Sequence, residues 1–117
     1  ETAGELTMLL TLRHLLLAKE FVIPSDIGDA MKLSRPAVSR MLHNLERKGY
    51  LEMKSSEEDH RYVKVQFTQT GKELIIEEFE KCCKLLERVK ERMGEKDMYK
   101  FLYYYSQFCT ILVDEIF

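Results

Sequence analysis

The sequence predicts a mainly α-helical chain with one small β-hairpin, an α+β arrangement, and three observations carry that expectation. An amphipathic segment over residues 34–49 sets Val38, Met41, Leu42 and Leu45 at i, i+3, i+4, i+7, one apolar stripe along a helix. Directly after it, residues 50–54 and 62–67 alternate as strands do, on either side of a polar loop, residues 55–61. Beyond the hairpin, Ile75, Phe79, Cys82, Leu86, Val89 and Met93 recur at alternating spacings of 4 and 3, the seam of a long helix that packs on another.

Each element has a local reason. Thr2-Ala3-Gly4-Glu5 matches the capping box, in which a hydroxyl and a glutamate satisfy the free N–H groups of a helix start. Leu6, Leu9, Leu10, Leu12, Leu16 and Leu17 follow at mixed helical spacings up to about Lys19 and Glu20, so this helix is expected to be buried on more than one side. Pro24 disfavours helix at Ile23, making Phe21-Val22-Ile23-Pro24 an extended connection. Ser25 is the expected N-cap of a short helix with Ile27, Ala30 and Met31 inward, and Leu33 closes the turn.

Ser34 then caps the amphipathic helix, and Pro36 is tolerated in its first turn, where no intrahelical N–H is needed. Gly49 is its expected stop. Thr68-Gln69-Thr70-Gly71 launches the long helix, whose roughly 22 residues would span about 33 Å. Gly94 breaks it, and a last helix repeats the seam through Met98, Leu102, Tyr105, Cys109, Leu112 and Ile116, widened by Phe101, Tyr104 and Phe108. Such faces need a partner surface, and a second copy of the chain is the simplest source.

Composition narrows the function classes. With 117 residues, 45% apolar and 32% charged, the chain is one domain's worth of globular protein. It has no uncharged apolar run long enough to span a membrane, and its acidic start, Glu1-Thr2-Ala3-Gly4-Glu5, lacks the basic region of a signal peptide. Three cysteines without metal-ligand spacing fit a reducing, cytoplasmic setting. Cys82 and Cys83 are adjacent, about 3.8 Å apart at Cα, too close for the usual disulfide. Cys82 and Cys109 fall on the seams and are expected to pack, while Cys83 lies off them. His14, His43 and His60 are dispersed over three elements, so no metal site and no cofactor is expected.

The net charge of −2 conceals an asymmetry. Between Lys32 and Lys64 stand eight Lys/Arg against five Asp/Glu, a local +3, whereas the remainder carries −5. Positive charge thus gathers on the amphipathic helix and hairpin, where it would meet phosphate. Opposite the apolar stripe lie Pro36, Arg40, His43 and Arg47, with Ser39 and Asn44 on the flanks. Arg35 and Arg40 have the donor fork that reads guanine; Ser39, His43 and Asn44 suit base edges or phosphates; Pro36 and Ala37 suit thymine methyls. In the loop, Asp59 precedes Arg61 by two residues and so shares its side of an extended segment, where it would orient the guanidinium for a minor groove. An ordinary solvated helix face and a plain surface ion pair are the bland alternatives. A reading helix followed by a charged hairpin is the order of a winged helix-turn-helix, and that order favours DNA contact.

The runs Leu33-Ser34-Arg35-Pro36-Ala37-Val38-Ser39-Arg40, Leu45-Glu46-Arg47-Lys48-Gly49-Tyr50, Asp59-His60-Arg61 and Val65-Gln66-Phe67-Thr68-Gln69-Thr70-Gly71 closely resemble the MarR family of bacterial transcriptional regulators. That resemblance implies a homodimer whose terminal helices form the interface, usually repressing from a pseudo-palindromic double-stranded operator. It implies a single domain over 1–117, with a winged helix-turn-helix DNA-binding lobe at 21–71 and a helical scaffold and dimerisation lobe at 1–20 and 72–117. By position, Ser34, Arg35, Pro36, Ala37, Ser39, Arg40 and His43 become recognition-helix contacts, and Asp59 and Arg61 the wing's reading pair. The family's first dimerisation helix is not visible before Glu1.

Some members release DNA when a phenolic or other small effector binds between the lobes. The cluster Tyr103-Tyr104-Tyr105 with Phe101 and Phe108 suits such a pocket or, more simply, a dimer core. Two other classes stand beside this reading. A winged-helix module that binds protein alone is disfavoured by Arg35, Arg40 and Arg47; an enzyme is disfavoured by the lack of a phosphate-cradling loop or a nucleophile–base pair.

Overall fold

The computed structural model describes residues 2–55 and 62–117. Its elements run α1 (Ala3–Ala18), α2 (Pro24–Met31), α3 (Arg35–Arg47), β1 (Leu51–Ser55), β2 (Val63–Phe67), α4 (Gln69–Met93) and α5 (Glu95–Ile116). The chain divides into two compact units, Glu1–Glu77 and Glu78–Phe117.

In the first unit Thr2 caps α1, its Oγ1 accepting from the Glu5 N–H at 3.1 Å. The reciprocal half of the expected capping box is absent, because the Glu5 carboxylate turns to the Lys48 ammonium at 2.7 Å. Met8, Leu9 and Leu12 are fully buried, while Leu10 and Leu17 remain 50% and 69% exposed. Within its own unit, then, α1 buries one face and not the several expected.

The short helix starts at Pro24, one residue before the expected cap at Ser25. Proline's fixed φ suits the first helical position, and the Asp26 carboxylate, three residues on, accepts from the Ile23 N–H at 3.0 Å, so Ile23 and not Ser25 is the N-cap. Lys19 closes on the same carboxylate at 2.7 Å. Burial works to raise the Asp26 pKa, but the Ile23 N–H and the Lys19 ammonium outweigh it, and the carboxyl titrates below its ordinary range. Ile27 is buried as expected and Met31 partly so; Ala30, expected inward, is exposed. At Gly28 a Cβ would stand 3.3 Å from both the Leu33 carbonyl and Val38 Cγ2, so α2 and α3 cross closely here.

Ser34 caps α3 by accepting from the Ala37 N–H at 3.3 Å, with Pro36 in the first turn. Gly49, at φ +85°, ends it. Its N–H reaches the Glu46 carbonyl and the Tyr50 N–H reaches the Leu45 carbonyl, both at 3.0 Å, the paired bonds of a Schellman stop. The strands pair antiparallel with Leu51 opposite Phe67 and Met53 opposite Val65. Leu51 and Val65 point into a core completed by Val22, Ile27, Val38, Leu42 and Leu45, each such burial stabilising by about 1.5–3 kcal/mol. The Val65 N–H also donates to the Val22 carbonyl at 2.8 Å, tying the 21–23 connection to the hairpin.

Thr68 joins hairpin to helix. Its hydroxyl donates to the Gly49 carbonyl at 2.5 Å and accepts from the Gly71 N–H at 3.0 Å. A Cβ at Gly71 would fall 2.0 Å from the Tyr50 carbonyl oxygen, so this close approach admits only glycine without a backbone shift.

The second unit holds the remainder of α4 and all of α5, joined through Gly94 at φ +88°. Phe79, Leu86, Val89, Leu102, Tyr105, Leu112 and Ile116 are all more than 40% exposed. Cys82, expected to pack, is exposed within the chain, as is Cys83, and Cys109 is half-buried. Phe101 stacks on Tyr105 with centroids 6.0 Å apart. No described helix is long and apolar enough to cross a membrane.

Candidate nucleic-acid interface

The amphipathic pattern of α3 decides which side chains it offers. With Val38, Leu42 and Leu45 sealed in the core, Arg35, Pro36, Ser39, Arg40, His43 and Arg47 are exposed, and Ala37 and Asn44 lie at the margins. These residues come together on one outer face. Ser34 is exposed at its head, with its hydroxyl engaged as the cap.

The face is ordered by contacts between neighbouring turns. Arg47 donates from its guanidinium to the Asn44 side-chain carbonyl, and His43 Nδ1 lies 3.8 Å from Glu46 Oε1. Among the described residues no ion pair engages Arg35 or Arg40, which leaves two guanidinium forks, each able to make paired hydrogen bonds to a base edge or phosphate. Beside α3 runs an open cavity of about 640 Å³ toward α2 and the hairpin. Val38, Leu42, Met53 and Val63 form its apolar floor, and Arg35, Ser39 and His43 its polar rim. Pro24, Ser25, Gly28 and Asp29 of α2 wall the same cavity, so this flank of α3 is shared with α2.

Not every cation counted from the sequence belongs to this face. Lys48 pairs with Glu5, Lys54 lies 3.4 Å from Glu52, and Lys64 sits over the Phe21 ring at 4.8 Å. Sequence reading missed the Glu5–Lys48 contact, because the capping box gave Glu5 a purely local use and nothing links positions 43 residues apart. Asp59 and Arg61, the expected reading pair of the wing, lie outside the described residues.

The fold recurs in solved structures. A point mutant of S. aureus MepR superposes with a TM-score of 0.83 at 20% identity, covering 96% of this chain and 80% of that one. Another MepR mutant, bound to an oligodeoxyribonucleotide, matches at 0.68 and 21% identity over 90% of this chain and 77% of that one. A MarR-like transcriptional regulator from Thermotoga maritima matches at 0.77 and 21% identity, over 97% and 77%. No curated relative matches the sequence. The sequence pattern of the MarR family matches residues 6–61, from α1 into the hairpin loop. Over those residues, in a winged-helix fold whose α3 presents the motif residues outward, the chain resembles the MarR family.

Proposed function

We propose that this protein is a sequence-specific DNA-binding transcriptional regulator that acts as a homodimer, most simply a repressor at a pseudo-palindromic operator. The observation that carries the reading is the exposed surface of α3, where Arg40 and His43 lie opposite the sealed stripe of Val38, Leu42 and Leu45, with Ser39 on its flank and Arg35 exposed in the first turn. In this reading α3 enters the major groove and the hairpin loop, with Asp59 and Arg61, the minor groove. Two copies then place their helices about 34 Å apart, one turn of B-form DNA. The MarR-family match over residues 6–61 and the winged-helix fold support DNA binding. The exposed seams of the second unit support dimerisation, since a lone chain would leave Phe79, Leu86, Leu102 and Leu112 in water.

A small phenolic-type effector that releases the operator completes the proposal, and DNA release on titrating such compounds into the complex is its check. The main experiment selects duplexes from a random pool and measures their affinity against ionic strength. A selected palindromic site, bound with a steep salt dependence by a dimer, is the expected result. Indifference to every duplex at low salt would leave the scaffold a protein-interaction module instead.

A further inference from the structure

We propose that the Glu5–Lys48 ion pair is a positioning device for DNA recognition. It pins the C-terminal end of α3 to the first turn of α1 and so sets the angle at which Arg35 and Arg40 are presented. This deepens, and rests on, the DNA-binding reading above.

The geometry is that of a strut. Lys48 Nζ lies 2.7 Å from Glu5 Oε2, and the Glu5 side chain is only 9% exposed. Glu5 is the buried charged residue among those described. At the neighbouring residue of α1 a Cβ added to Gly4 would stand 3.4 Å from Met41 Cε, so the first turn of α1 passes close to α3. Met41 and Lys48 are seven positions apart, hence on one row of α3, beside the buried stripe and away from Arg35. The first turn of α1 therefore lies along the rim of the recognition helix.

The charges suit their places. Glu5 sits in the first turn of α1, where unpaired N–H groups favour an anion, and Lys48 is the C-cap of α3, where carbonyls favour a cation. A buried carboxylate that loses its cation is penalised more than the pair itself is rewarded. Any swing of α3 away from α1 would leave Glu5 in that condition. The pair thus makes one position of the helix end discrete, where apolar contacts alone would tolerate small slides. Other described ties on this end run elsewhere: the Met53 N–H of β1 donates to Glu46 Oε2 at 3.3 Å, and the Thr68 hydroxyl to the Gly49 carbonyl.

The test turns on a difference of sign. Wild type, Glu5→Gln, Lys48→Met and Lys48→Arg are compared on a selected duplex and a random duplex at one ionic strength, with thermal unfolding followed on the same samples. Charge alone makes Glu5→Gln bind every duplex more tightly, because an anion has gone. Positioning instead lowers the selected-to-random affinity ratio about tenfold in Glu5→Gln and Lys48→Met, and keeps it in Lys48→Arg. A ratio unchanged in folded Glu5→Gln and Lys48→Met, with both affinities moving together, makes Lys48 an ordinary surface cation and overturns the inference alone. If Glu5→Gln does not fold, the ratio in Lys48→Met decides. A wild-type chain without preference among duplexes overturns the DNA-binding reading, and this inference with it.

Discussion

The two units of the chain treat the same kind of residue in opposite ways. Up to Glu77, Leu42, Leu45, Leu51 and Val65 are at most 1% exposed, closed over by partners within the chain. Beyond it, Leu102, Leu112 and Ile116 sit at 45–66% exposure although the seam that carries them is at least as regular. Periodicity therefore tells which face of a helix seeks cover, and not whether the cover comes from the same chain. The core of the first unit can be understood from its own contacts; the apolar face of the second has no such cover among the described residues.

Substitution separates the two cases. Leu42→Ala should remove about 2–5 kcal/mol of stability, read as a lower denaturant midpoint at every protein concentration. Leu112→Glu should act differently, converting a dimer to a monomer in sedimentation and abolishing the concentration dependence of the unfolding transition. Equal, concentration-independent losses from both would mean that the second unit is covered within the chain after all.

That distinction also explains what could be read in advance. Elements governed by chemistry within a few residues were legible: Ser34 capping α3, Gly49 stopping it, Thr68 and Gly71 launching α4, and Val38, Leu42 and Leu45 forming the buried stripe. The α3 surface was legible for the same reason, since a 3.6-residue period that buries one set of side chains exposes the other. The start of α2 departs from the expected Ser25 cap because Asp26, the third helical residue, holds the Ile23 N–H and pairs with Lys19. Pattern alone places Ala30 inward, yet a methyl group gains too little from burial to fix a face. Lys48 adds to the local positive charge in the sequence, yet its partner lies on another helix. Tertiary pairing of this kind leaves no periodic trace.

Arg40→Ala sharpens the contrast from the functional side. The residue is exposed, so unfolding should shift by no more than about 0.5 kcal/mol, while binding to a selected duplex should weaken by about 1–3 kcal/mol. An equal loss on random duplexes would reassign Arg40 from base reading to phosphate contact. Either result keeps stability in the sealed stripe and recognition on the opposite face of the same helix.

The smallest effect belongs to the start of α2, where Asp26 holds the Ile23 N–H and Lys19. Its folded-state pKa lies below the ordinary value of 3.8, so the native form binds the carboxyl proton less readily than the unfolded chain does. The stabilisation is therefore present above about pH 4 and is lost as the pH falls through the folded-state value. Lys19 is half exposed, which limits the pair to at most about 1 kcal/mol. Comparing acid unfolding of wild type and Asp26→Asn should give curves that differ near neutrality and converge at low pH. A difference that persists at pH 2 would assign the effect to a lost acceptor and not to the charge, because Asn keeps only one of the two oxygens that Asp26 uses.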